Sequence, residues 1–390
     1  MSFVQITTML EASWYHETTF VGPGDGTPVT LPSSGGSLSY VPEGCIVLRS
    51  DSYKPWENPY DLVSHKAEVL FRIILNATVP PLLFLFGFPA NILNAAVFYR
   101  QGLGERINMC LFVLSLTDLV GLTGQFLRNF EHMYRALFKV RGVFEENIVA
   151  FIGFCKVSQF ITCVIACERC LCVFLPFKAQ KYLKTSSMAA VIGVVGVFLV
   201  GGMALIAGHK HTFTCVFDPL TNETDLANSY TSFYLDHKYV FDIIDIFVYT
   251  VVFTIVLQFF VIITSILTVI KLYQASTWRH LHGAVGSSDK EQQSKDSSKL
   301  SKKEMATTKM LLASSLLFIV CFSPEVMLQL SLYLVKELTY SGRYYNLLSV
   351  LWRIVAVLRM VTATLNFVVY YHMGSRFRTT LKDILSCVKQ

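Results

Sequence analysis

Charge is scarce in this sequence. Asp, Glu, Lys and Arg make up 15% of its 390 residues, against about a quarter in ordinary soluble domains. Hydrophobic residues make up 53% and are gathered into long blocks, which makes lipid the expected solvent rather than water. The first 20 residues contain no Lys or Arg and no sustained apolar run. No cleaved signal peptide is read there, and the first membrane helix is expected to export the tail. HExxH, GxSxG and paired catalytic aspartates are all missing, so nothing points to an enzyme. An internal repeat of the kind that marks many transporters is missing too. The net charge of +6 resides in short loops between apolar blocks, which argues against nucleic acid as a partner. Cys163, Cys167, Cys170 and Cys172 have no His beside them, and they read as buried apolar thiols rather than a zinc site.

Seven apolar blocks are present, at about 69–98, 109–136, 144–174, 187–208, 240–272, 306–335 and 345–371. Each is long enough to cross a hydrocarbon core of roughly 30 Å. The expected fold is therefore all-α, a seven-transmembrane helix bundle over 68–372. An odd number of crossings puts the two chain ends on opposite sides. Lys178, Lys181 and Lys184 follow the third block, and Arg376, Arg378 and Lys382 follow the seventh. By the positive-inside bias these clusters are cytoplasmic and the amino terminus is extracellular, as in a multi-pass protein of the plasma membrane. Residues 1–67, rich in Gly, Pro and Ser, read as a mobile extracellular tail. The polar Ser- and Lys-rich stretch at about 276–304 reads as a flexible cytoplasmic loop. Asn222-Glu223-Thr224 is a glycosylation sequon before the fifth block. Residues 373–390 place Phe377, Leu381, Ile384 and Leu385 on one helical face beside bases, a short amphipathic helix at the membrane surface.

Short patterns then fall in the right blocks. Asn91 lies in GFPANILN, Asp118 ends Leu-Ser-Leu-Thr-Asp, and Glu168-Arg169-Cys170 is followed by Pro176. The sixth block contains Phe318 and Cys321-Phe322-Ser323-Pro324, and the seventh Asn366-Phe367-Val368-Val369-Tyr370. Together they resemble the rhodopsin-like class of G-protein-coupled receptors over about residues 69–386. The Glu168–Cys170 run and the TSSMAA after Lys184 are similar to invertebrate chemosensory and neuropeptide-like orphan receptors. The resemblance implies an extracellular ligand and a cytoplasmic heterotrimeric G protein, with arrestin, a receptor kinase and membrane lipid as further partners. It implies an activation switch of Asp118, Glu168, Arg169, Glu304, Phe318, Pro324, Asn366 and Tyr370, in which Arg169 is latched by Glu168 and by Glu304. Asp118, Ser158 and Asn366, with Phe322 nearby, match positions that hold a sodium ion in the family. Cys387 matches a palmitoylation position. The competing reading is a seven-helix transporter or channel.

Several family features are replaced. Cys170, Phe322 and Phe367 stand where an aromatic, Trp and Pro are usual, Thr362 stands where Asn is frequent, and Phe144 occupies the place of the usual bridging cysteine. A disulfide between Cys45 and Cys215 is expected instead, since the luminal route is oxidising, with Cys155 as the rival partner. Phe151 stands where amine receptors carry Asp, and Met360 where visual pigments carry the retinal lysine. Monoamines and retinal are therefore not the expected ligand and cofactor. Arg128, Lys156, Glu325 and Arg359 lie by helical rise in the outer half of the membrane. Intramembrane charges of this kind face a cavity or one another. With three bases against one acid, a carboxylate-bearing ligand or a peptide is expected, lined also by Phe151, Cys155, Asp245, Phe322, Gln329 and Trp352. Pairing of Glu325 with Arg359 or Lys156 is the other reading of the same charges.

Overall fold

The computed structural model describes residues 45–47, 55–138, 151–175, 179, 183–218, 223–282, 291–339 and 342–388. Among these, seven helices are long and apolar enough to cross a membrane. They are α1 (His65–Gln101), α2 (Arg106–Phe138), α3 (Phe151–Phe174), α4 (Thr185–Lys210), α5 (238–282), α6 (Glu291–Leu334) and α7 (Tyr345–Met373). An eighth, α8 (Ser375–Val388), follows α7 after one residue. The fold is the expected all-α seven-helix bundle with an amphipathic eighth helix. A small sheet that the apolar pattern does not announce is added at one end, and α8 marks the other.

The bundle is inverted relative to a soluble protein. Leu85, Phe86, Val194, Val197, Val320 and Met327 are each more than 60% exposed, whereas Asn91, Asp118, Lys156, Glu168, Glu325 and Asn366 are all buried. Large apolar side chains facing outward with polar ones inside is the arrangement that lipid demands. In α4 this leaves both faces apolar, with Met188, Ile192, Leu199 and Met203 packed inward and Val191, Val194 and Val197 outward. Helices with no polar face are stable only where no face meets water.

Turns and caps set the boundaries. α1 stops at Gly102, whose φ of 98° is cheap for glycine alone. At the next turn Asn108 Nδ2 donates to the carbonyls of Gln101 and Gly102. α8 is seated by Phe377 and Leu381, both buried, with the Phe377 ring 5.5 Å from Phe98 and 6.0 Å from Tyr370. Arg378 donates to the carbonyls of Tyr371 and His372, and Arg376 pairs with Glu105 at 2.7 Å. Inside α5, residues Ile244–Val256 are π-helical, a wider winding that often marks functional sites.

The sheet is made of β1 (Ile46–Val47), β2 (His211–Asp218) and β3 (Glu223–Tyr230). β2 and β3 form an antiparallel hairpin, and β1 lies parallel to β2 with Ile46 opposite Val216. A disulfide joins Cys45 to Cys215. Two expectations are corrected here. The tail is not free up to residue 67: residues 55–64 are built onto α7, where Asn346 Nδ2 donates to the carbonyls of Trp56 and Val63 and its backbone N–H donates to Asp61. Buried Glu68 of α1 then pairs with Arg353 at 3.0 Å. The stretch at 276–304 is helical up to His282 and again from Glu291, because Lys, Glu and Gln sustain a helix once a packed segment has nucleated it.

Candidate functional site

The charged residues of the sheet-side half are brought together. Lys156 of α3 lies 3.0 Å from Glu325 Oε1 of α6, and Arg359 Nη1 of α7 lies 3.4 Å from the same oxygen. Lys156 also donates to Thr254 Oγ1 of α5 at 2.6 Å. Thr254 is placed by the π winding, its hydroxyl donating to the carbonyl of Tyr249 five residues earlier. Three helices thus meet on one carboxylate, and α5 joins them through Lys156. The Glu325 side chain is 2% exposed, Lys156 6% and Arg359 12%, so both cations and the acid have left water. One acid balances only one of the two bases. Among the described residues the buried Arg359 Nε has no partner, and the bonds from Nη1 to Glu325, at 3.4 and 3.5 Å, are longer than a strong charge-assisted bond. Glu325 is therefore paired with both bases, and among the described residues this leaves one positive charge over.

Other expected pocket residues are distributed around this cluster. Phe322, buried, stacks on Phe318 at 4.4 Å one turn below Glu325. Gln329 lies one turn outward on α6 and is half-buried. Cys155 and Phe151 are half-buried on α3, and Phe151 fills the space beside Gly124 of α2. Arg128 is half-buried in the outer part of α2. Trp352 packs with Leu328, Leu338, Leu348 and Val355 between α6 and α7. Asp245 pairs with Lys210 at the end of α4, at 3.7 Å, and its side chain is 41% exposed. It lies in the first turn of the π segment of α5.

Deeper in the bundle, Asp118 of α2 is buried. It accepts from Ser158 Oγ at 2.6 Å and from Asn366 Nδ2 at 3.2 Å. Nearby, Asn91 ties α1 to α7 through the carbonyl of Ala363. The sodium expectation does not fit this arrangement. A hard cation collects about six or more oxygens, whereas Asn366 turns its nitrogen toward Asp118 and its oxygen toward Ser314.

At the α8 end, Glu168 is 2% exposed and receives both Nε and Nη2 of Arg169, the latter at 2.6 Å. Cys172 Sγ donates to the same carboxylate. Sequence reasoning missed Arg106, at the foot of α2. Its Nε lies 3.3 Å from Glu168 Oε1, and its Nη1 donates to the carbonyls of Leu183 at 2.8 Å and Ala179 at 3.4 Å. A lone Arg opening an apolar block was the available signal, but an Arg there is also what a solvated helix end looks like. Thr254 and Ser314 were missed as well, because one hydroxyl among apolar residues bonds its own helix by default. Tyr370 is buried against Phe98, and Pro324 lies inside α6. Glu304 lies within α6 and Cys387 within α8, but their side chains are outside the described residues, as is all of Asn222.

A bundle of seven lipid-facing helices whose buried charges join several helices at once defines a multi-pass membrane protein with a polar interior. A family model described as 7 transmembrane receptor (rhodopsin family) matches residues 90–370. The chain belongs to the rhodopsin family of seven-transmembrane receptors. It is also similar to the Caenorhabditis elegans protein named "Putative G-protein coupled receptor F59B2.13", with 27% identity over 128 residues. That alignment covers 31% of this chain and spans 30% of the length of the worm protein.

Proposed function

We propose that this receptor binds an extracellular ligand bearing a carboxylate, either a small chemosensory molecule or a peptide, in the sheet-side half of the bundle, and passes the signal to a heterotrimeric G protein at the α8 end. The observation that carries this reading is the unbalanced cluster of Lys156, Glu325 and Arg359. A buried cation without a counter-charge is costly, and a ligand carboxylate reaching Arg359 supplies the missing anion. Glu325 directly follows Pro324, the residue that removes a backbone bond from α6. A ligand that draws Arg359 away from Glu325 therefore alters how α6 is held just above its kink.

In this reading the sheet end is extracellular, residues 1–67 and the sequon at Asn222 are outside, and the protein resides in the plasma membrane. The second region is the bundle of 68–372 and the third the amphipathic helix and tail of 373–390, with Cys387 as a lipid attachment point. Outward movement of the lower α6 carries Glu304 away from Arg169 and opens the G-protein cavity. Arrestin and a receptor kinase act on the same face. The ligand shifts this equilibrium only by binding one state more tightly than the other.

The test is a G-protein reporter assay of the wild-type chain, Arg169→Ala and Arg359→Ala against small carboxylates, their methyl esters and peptides. The expected result is a response to free carboxylates, at least tenfold weaker with esters and with Arg359→Ala, and absent with Arg169→Ala. Equal potency of acids and esters would sink the anionic-ligand reading, and an unchanged response in Arg169→Ala would sink the coupling.

A further inference from the structure

Polar contacts hold α6 to α7 on each side of Pro324. Above it, Glu325 meets Arg359. Below it, Ser314 Oγ donates to Asn366 Oδ1 at 2.9 Å. Ser314 precedes Pro324 by ten residues, about 15 Å along the helix, and Arg359 and Asn366 are two turns apart on α7.

The lower contact is not one that local chemistry would make. Other hydroxyls inside these helices satisfy themselves on the carbonyl four residues earlier: Ser115 on Leu111, Thr162 on Ser158, Ser323 on Ile319 and Thr362 on Leu358. Ser314 donates to another helix instead. It sits in a stripe whose neighbours Leu311, Phe318 and Phe322 are buried and apolar, where a hydroxyl is a cost unless it is bonded. Asn366 is then used on both sides, accepting from Ser314 at its oxygen and donating from its nitrogen to Asp118, which also accepts from Ser158. Each group plays the role its chemistry allows. The result is one hydrogen-bonded line running from α6 through α7 and α2 to α3.

We infer that the Ser314 hydroxyl is a clasp that holds the lower half of α6 to α7 in the resting bundle, so that Ser314 is a positioning residue for the α6 movement. Moving α6 outward must break this bond, because Asn366 stays tied to Asp118 on α2. Without the hydroxyl, Asn366 Oδ1 loses its partner, and the closed form loses about one net hydrogen bond. That corresponds to about a fivefold shift toward the open form.

The experiment compares Ser314→Val with Ser314→Thr, which have the same shape and differ in the hydroxyl. Ser314→Ala serves as a hydroxyl-free variant without added bulk. Paramagnetic labels attached at Lys309 of α6 and His372 of α7, both exposed, report the separation of the two helices in purified full-length protein. Ligand-free signalling, normalised to surface protein, is read in parallel and rests on the receptor reading above. The expected result is an approximately fivefold larger long-distance population and ligand-free signal for Val and Ala, with Thr close to wild type. If Thr and Val behave alike, whether both shift or neither does, the clasp is overturned. A shift in distance without any signal supports the clasp and counts against G-protein coupling.

Discussion

The Glu325 carboxylate lies 3.0 Å from the Lys156 ammonium, with Arg359 closing on it from α7. Removing the acid leaves two buried cations facing each other, and breaking such a buried pair costs on the order of 3 to 5 kcal/mol. Glu325→Gln is expected to lose detergent thermal stability and surface expression, while Lys156→Met, which leaves one base for one acid, loses much less. Adding Lys156→Met to Glu325→Gln should recover part of the loss. Thermal unfolding of the four proteins checks this, and a strictly additive double variant would contradict it.

Arg106 connects three elements at the α8 end, holding Glu168 and the carbonyls of Leu183 and Ala179. Arg106→Ala leaves those carbonyls without their guanidinium. Since a hydrogen bond to a charged group is worth about 1.5 to 3 kcal/mol, amide exchange at 183–188 is expected to quicken by roughly tenfold or more. Lys at the same position should not restore protection, because a single ammonium cannot reach the acid and two carbonyls at once. Exchange mass spectrometry reads both variants, and unaltered protection in Arg106→Ala would refute the role.

Cys45 and Cys215 are 170 residues apart in the chain and joined in space. Closing so long a loop is worth about 2 to 4 kcal/mol in the chain-entropy view. Cys45→Ser, Cys215→Ser and the double variant should therefore lose the same amount of stability, with no further loss on combination. Peptide mapping under non-reducing conditions should find the linked pair. A double variant twice as damaged as either single one would show that the two act separately.

The Tyr249 hydroxyl donates to the carbonyl of Leu199 at 3.0 Å and occupies the space over Gly202, where any Cβ would collide with it. Gly202→Val is expected to push Tyr249 out of the α4–α5 contact and cost about 1 to 3 kcal/mol by overpacking. Combining it with Tyr249→Ala should relieve most of that strain. Melting temperatures decide this, and a Gly202→Val protein as stable as wild type would disprove it.

Much of this architecture was legible in the sequence for a physical reason. A 20-residue apolar block in lipid has only one way to satisfy its backbone, and it is a helix. Asp118, Glu168, Arg169 and Asn366 stood out because their runs resemble the receptor family's motifs, and Asp118 also because a carboxylate is costly inside such a block. The strands 211–218 and 223–230 went unread: Phe213, Cys215 and Phe217 alternate with Thr212 and Thr214 in HTFTCVFD, but ETDLANSY carries no such period to pair with it. Arg106, Thr254 and Ser314 were not legible either, because the meaning of each depends on a partner on another helix.

Sequence alone determined that the chain spans a membrane seven times and about where each span lies, because transfer into lipid depends on composition within one segment. Tertiary structure decided who meets whom: that Glu325 serves both Lys156 and Arg359, that Asp245 turns to Lys210, and that Ser314 reaches Asn366 instead of its own helix. Those pairings depend on the rotation and winding of helices about their axes, the π turns of α5 included, and packing against neighbours sets that rotation once the segments are together.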